Sequence, residues 1–350
     1  MLLSSLTCYR RKKFMKPVAH SKPDFIRQLI KDAVSGILKT VPPRLLNTRT
    51  GHLCDRDSLI ADFDNSPQYE QLLSSAAAYE LYECKGHIRE TVSAHFKYAT
   101  LSHRWGKDEP LLRDIRGRTV YDMDLTDGLM KLQSFCATAC ECGYSWAWSD
   151  TCCIDKDSTV ELAKAITSMF SWYRRSALTI VHLADIFGTG LLSSSVWFKR
   201  GWTLQELLAP RTVLFYTRDW SLYRECSSSN HKEDVVLLRE LEDATGIAQQ
   251  YLTNFDPGID NARSRLQWAS ERHTTEPEDI AYSLFGIFNV YLPIIPGESA
   301  ENALGRLLAE IVTQSGDISV LSWVGEGSTF NSCFPAHISI NVKHDGLQVM

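Results

Sequence analysis

Apolar positions along this chain change period several times, and the changes divide it into elements. In PDFIRQLIKDAVSGILKT (23–40) they recur at helical spacing. VPPRLLNTRTGHL (41–53) breaks that pattern, which puts a boundary near Val41, and residues 55–92 are mixed, polar and without a clear period. From residue 95 strands and helices alternate. FKYATLSHRW (96–105) reads as a strand running into a glycine turn, and LTDGLMKLQSFCATACECG (125–143) as a helix ended by glycine. YSWAWSDTCCI (144–154) reads as a short buried strand. Ser158 then opens a helix with capping-box spacing to Glu161, and Leu162, Ile166, Met169, Phe170 and Tyr173 form its apolar stripe. SALTIVHLADI (176–186) and TVLFYTRDW (212–220) are further strands, separated by the loop FGTGLLSSS and the segment RGWTLQELLAP (200–210).

Strands alternating with helices in this way predict an α/β fold: a mostly parallel sheet flanked by helices, with ligands bound beyond the carboxyl ends of the strands. Those ends are Ser102, His103, Arg104 and Trp105, then the stretch from Asp150 to Asp155, then Asp185. After residue 220 the pattern changes. SSSNHKED (227–234) reads as a polar linker or loop; NARSRLQWASER, EPEDIAYSLFGIF (with Pro277 in its first turn) and SAENALGRLLAEIVTQ read as helices of a C-terminal helical subdomain. The last twenty residues read as a strand that stops abruptly, as in a truncated gene product. The expected organisation is a basic leader and helix (1–41), the α/β domain (42–230), a helical extension (231–325) and the start of a further segment (326–350).

Composition narrows the function classes. The chain has 350 residues, 44% hydrophobic and 23% charged, with a formal charge of −5. That is enough apolar surface for a sizeable core and no global basic field to recruit nucleic acid. No run approaches the length of a membrane span. At the N-terminus the apolar stretch precedes the basic cluster, the reverse of a secretory signal, so a cytoplasmic location is expected. The ten cysteines include no CxxC pair, so reduced core thiols are expected and no metal site.

Three stretches carry candidate chemistry. In YATLSHRWG (98–106), Arg104 could clamp a phosphate or carboxylate and Trp105 could stack on a ring; alternatively Trp105 is core and Arg104 sits in a structural ion pair. In WSDTCCIDKDS (148–158), Asp150, Asp155 and Asp157 lack calcium-loop spacing, and Cys152 or Cys153 with His103 would make a thiol–base pair only if the cysteines were not core. In RGWTLQELLAP, Thr203 and Glu206 have capping-box spacing, which explains Glu206 without chemistry; yet the short helix is largely apolar, and a desolvated carboxylate there suits acid–base work.

YATLSHRWG, the long block WAWSDTCCIDKDSTVELAKAITSMFSWYRRSALTIVHLADI and VWFKRGWTLQELLAPRTVLFY resemble, in order, three signature blocks of the fungal heterokaryon incompatibility (HET) domain. PPRLLNT (42–48) is similar to its usual start, and RLQWASERHTTEPEDIAYSLFGIFNVYLPIIPGE with ISVLSW to the segment that often follows it, so the resemblance covers roughly residues 42–325. His103 departs from the family pattern, where a Tyr or another residue precedes the Trp-Gly. The resemblance implies a role in vegetative incompatibility, in which fusion of unlike hyphae triggers programmed cell death. It also implies self-association or a separate non-self sensor protein as partner.

HET domains look distantly like Toll-type (TIR) domains, some of which cleave NAD at the nicotinamide–ribose bond with one glutamate after a W-C-x-x-E-L motif. Trp202-Thr203-Leu204-Gln205-Glu206-Leu207 keeps the Trp-to-Glu spacing. The implied catalytic residue is therefore Glu206. Ser102, Arg104, Trp105, Asp150 and Trp202 are implied to line a nucleotide cleft, with NAD a substrate and no resident cofactor. A non-enzymatic signalling and oligomerisation module is the alternative.

Overall fold

The computed structural model describes residues 22–75, 81–188, 190–225 and 228–338. The basic leader before residue 22 and the final stretch from residue 339 lie outside the described residues; of the expected terminal strand, residues 331–338 form turns and one isolated bridge, Gly327 to Pro335.

Six strands form one sheet: β1 (Leu45–Asn47), β2 (Leu53–Cys54), β3 (Tyr98–His103), β4 (Trp146–Trp148), β5 (Leu178–His182) and β6 (Val213–Tyr216), in the order β2-β1-β4-β3-β5-β6. β3 pairs in parallel with β4 and β5, and β5 with β6, while β1 and β2 add an antiparallel edge. All residues of β3 and β5 are buried, so both faces of the sheet are covered, as parallel sheets require. From β3 the chain steps to β4 on one side, then crosses to β5 on the other and continues to β6. That is the flavodoxin-like winding order, and it leaves a switch point at the carboxyl end of β3.

The helices are α1 (Lys22–Leu38), α2 (Arg56–Asp64), α3 (Pro67–Ser75), α4 (Leu81–His95), α5 (Leu112–Ile115), α6 (Asp127–Glu141) and α7 (Thr159–Arg175), then α8 (Thr203–Leu208), α9 (Val235–Thr245), α10 (Gln249–Thr253), α11 (Ala262–Ala269), α12 (Asp279–Tyr282), α13 (Phe285–Phe288) and α14 (Ala300–Ser315). Their limits have local causes. Thr126 and Ser158 cap α6 and α7 through their hydroxyls, and α14 runs from the Ser299 hydroxyl to Gly316 at φ 66°. The Glu161 half of the expected capping box is absent. Its carboxylate accepts instead from the Asp155 amide at 2.8 Å and from Arg44.

Several expectations are corrected. The stretch 144–154 is a strand only at Trp146–Trp148; a turn closed by Cys153 N–H to the Ser149 carbonyl (3.0 Å) then carries Asp150 off the sheet. EPEDIAYSLFGIF forms two four-residue helices, α12 and α13, and Pro277 lies just before them. The described part of the polar stretch, residues 228–234, is not fully solvated. Asn230, His231 and Lys232 are buried: Asn230 Oδ1 accepts from the Val213 amide and His231 Nδ1 from the Phe215 amide, each at 3.0 Å. These side chains take the place of a neighbouring strand beside β6.

Candidate functional site

Glu206 lies on α8, whose six residues are all buried. The expected Thr203 cap does not form. Thr203 is already helical, and its hydroxyl donates to the Trp197 carbonyl (2.6 Å) and the Arg200 carbonyl (2.9 Å). The preceding Gly201 is set by a close approach: its amide donates to the His273 carbonyl at 2.8 Å, and a Cβ there would stand 2.5 Å from Thr274 Cγ2. The Glu206 carboxylate is thus free of its own helix end, and it accepts from the Ser102 hydroxyl at the end of β3. Ser102 in turn accepts from Trp197 Nε1 at 2.9 Å.

The carboxylate is 4% exposed and opens on a cleft of about 560 Å³ at the switch point. Burial and the nearby charge of Asp150 push its pKa up to about 8, against the pull of Ser102, Arg200 and Arg272. Arg272, itself buried, donates to the Trp268 carbonyl (3.1 Å), the Arg200 carbonyl (3.0 Å) and the Thr203 hydroxyl (3.0 Å), with its pKa depressed by burial to about 10. A carboxyl group whose proton is balanced near neutrality, facing a cavity, can act as an acid, as a base or as a stabilising anion.

One wall of the cleft comes from the ends of β3 and β4. Trp105 is 43% exposed and donates through Nε1 to Asp150 Oδ2 at 3.0 Å; Lys156 Nζ stands 3.3 Å from the indole centroid. Burial works against ionisation of Asp150, but its contacts with His103, Lys156 and Trp105 hold its pKa below the usual carboxylate value. His103 is buried in the same wall, 3.4 Å from Asp150 and 3.8 Å from Glu109, and burial lowers its pKa. The opposite wall comes from α8 and the helical part. Trp202 is half-buried and donates to Asp279 Oδ2 at 2.8 Å; burial raises the Asp279 pKa to about 6.

Of the residues expected to line the cleft, Arg104, Trp105, Asp150, Trp202 and Glu206 do so. Ser102 does not. It is fully buried behind Glu206 and positions that carboxylate rather than a ligand. Trp105 is not core, and Arg104 is exposed with no ion pair among the described residues. Cys152 and Cys153 are fully buried, and the Cys152 thiol is pushed far up by its contact with Cys153 and by burial, so it supplies no nucleophile. Asp155 and Asp185 fall outside the cleft; Asp185 holds the Ser195 hydroxyl (2.7 Å) and the Val196 amide (2.8 Å). Sequence reasoning missed Lys156, Arg272 and Asp279. Lys156 follows the turn after β4 in Cys-Ile-Asp-Lys, a weak signal. The other two reach the site only through tertiary packing. Among the described residues no cluster of ligands suits a metal ion, and no helix is long and apolar enough to cross a membrane.

The winding order and a buried carboxylate at the switch point define a doubly wound α/β protein with a ligand cleft. Over residues 98–190 the chain matches the family model described as heterokaryon incompatibility protein (HET). It is 39% identical over 239 residues to the vegetative incompatibility protein HET-E-1 of Podospora anserina, a match covering 64% of this chain and 17% of that protein. The match therefore spans about a sixth of the length of this relative. No solved structure matches. Glu206, Arg272 and Asp279 all lie beyond the segment matched by the family model.

Proposed function

We propose that this chain acts in heterokaryon incompatibility as a cell-death effector, and that it does so by cleaving NAD at the nicotinamide–ribose bond. The relative's name supports the role in incompatibility. The second part rests on one observation: the Glu206 carboxylate, held by Ser102, opens into a cleft that also presents two indoles and several cations. In the reaction the C–N bond breaks and its electron pair leaves with nicotinamide. The ribosyl oxocarbenium that remains is stabilised by the Glu206 carboxylate, and water then adds to it. In the empty cleft Glu206 is largely protonated at neutral pH. A pyridinium cation brought alongside lowers its pKa and favours the anion the transition state needs.

Nicotinamide release by purified, self-associated protein, compared with Glu206→Gln, is the test. A loss of about 100-fold or more is expected in the variant. No release by the wild type, or equal release by the variant, refutes the reading. A non-enzymatic assembly module is the second reading, favoured by Phe187 and Leu191, which stand 61% and 70% exposed on the loop after β5. It predicts that Glu206→Gln leaves toxicity intact while Phe187→Asp or Leu191→Asp abolishes it.

A further inference from the structure

Lys156 is a half-buried residue whose ammonium makes no hydrogen bond among the described residues. Its Nζ is shielded from solvent in the wall of the cleft, finds no acceptor among the described residues, and rests on the Trp105 ring at 3.3 Å. Burial depresses its pKa, which records the cost of keeping an ammonium there. The carboxylate nearest in the fold does not neutralise it by direct contact. Asp150 is engaged by Trp105 Nε1 on one oxygen and faces His103 with the other. Arg104, at the end of the neighbouring strand β3 and lining the same cleft, is exposed and unpaired among the described residues. Two cations thus line one cleft with an indole whose own N–H is fixed by Asp150. An ammonium desolvated in a cavity wall, with all its donors unused, is arranged for an anion that enters the cavity.

We propose that Lys156, with Arg104 beside it, is a phosphate-binding subsite, and that Trp105 is the stacking face for the ring attached to that phosphate. The ligand class is a nucleotide carrying a phosphate or diphosphate. Lys156 now covers the Trp105 face that a ring would use, so the incoming anion draws the ammonium off the indole and exposes it. This rests on reading the cleft as a nucleotide site, but not on the bond that is broken there.

Titration calorimetry on the full chain with ADP, inorganic pyrophosphate and adenosine separates the contributions. ADP is expected to bind at least about tenfold tighter than adenosine, with pyrophosphate binding on its own. Lys156→Met is expected to lose about tenfold or more in affinity for ADP and pyrophosphate while adenosine is unchanged, and Lys156→Arg to keep affinity within a few-fold. Lys156→Met should also melt at the same temperature as the wild type or higher, because it removes an unbonded buried charge. Equal binding of ADP by wild type and Lys156→Met, equal binding of ADP and adenosine by the wild type, or no binding of pyrophosphate or ADP overturns the subsite. Anion binding that depends on Lys156 without nicotinamide release leaves the subsite standing and sinks the cleavage reading. Nicotinamide release undiminished in Lys156→Met does the reverse.

Discussion

Replacing Glu206 by Gln removes a titrating proton while keeping the shape of the side chain and its capacity to accept from Ser102. In the folded chain the Glu206 pKa is raised from 4.5 to about 8. At about 1.4 kcal/mol per unit, this puts up to about 5 kcal/mol between the folded and unfolded protonation equilibria. The sign follows from where the proton is held. Below pH 4.5 both states carry it and no difference appears. Between 4.5 and 8 the unfolded chain ionises while the folded one keeps its proton, so wild-type stability falls as pH rises. Above 8 both are ionised and the loss is complete.

Glu206→Gln lacks this slope. Its stability relative to wild type should grow from near zero at pH 4.5 to about 3 kcal/mol at pH 7, and level off above pH 8. Urea unfolding at a series of pH values between 4 and 9 measures it through the midpoint, with the slope on denaturant as control. A difference that is flat with pH, or a variant increasingly less stable at high pH, would show a carboxylate already ionised and paired with Arg200 and Arg272. That result would refute a Glu206 that keeps its proton at neutral pH.

Other changes test neighbouring parts of the site. Arg272→Met takes the guanidinium donor from the Trp268 carbonyl and one of two donors from the Arg200 carbonyl, which keeps the Thr203 hydroxyl, and is expected to cost about 1–3 kcal/mol in urea unfolding; it also removes a positive charge near Glu206, shifting the pH-dependent window upward. Gly201→Ala places a Cβ 2.5 Å from Thr274 Cγ2 and should cost about 1–3 kcal/mol, largely recovered in the Gly201→Ala/Thr274→Ser double variant, so a double-mutant cycle reads the clash directly. His231→Ala deprives the Phe215 amide of its acceptor, and hydrogen exchange at Phe215 should quicken well ahead of exchange at the paired amides of β5.

The parallel core was legible because each element carried its own signal. The stripe on α7, the Ser158 cap and the β-branched, largely apolar run of β5 all act within a few residues. β1 and β2 were not legible, being three and two residues long, too short to show an alternation. The helices over residues 56–95 were missed for a related reason: α2 and α4 bury narrow stripes among many polar residues. Glu206 stood out in the sequence as a lone carboxylate in an apolar helix, but its orientation was beyond local rules. The capping spacing of Thr203 and Glu206 is present in the sequence, and tertiary packing overrides it. Trp197, Arg200 and Arg272 engage Thr203, while Ser102, a hundred residues earlier, draws the carboxylate toward the sheet. Lys232 shows the same limit. A lysine in a serine-rich polar run reads as solvated, yet it is buried with Nζ 2.7 Å from the Pro210 carbonyl and its pKa lowered by burial to about 7.

The side chains of Asn230 and His231 along β6 also constrain how copies of this chain could come together. A strand edge with free amides invites another strand, and chains that join in this way grow as continuous sheets. Here two of the β6 amides are already taken by groups of the same chain, and the far end of the sheet is a strand of two residues. Polymerisation by sheet extension is obstructed at β6 and has little to build on at β2. An assembled state of this protein is therefore expected to be a stack of intact domains joined through helices and loops, able to dissociate without any strand being peeled away.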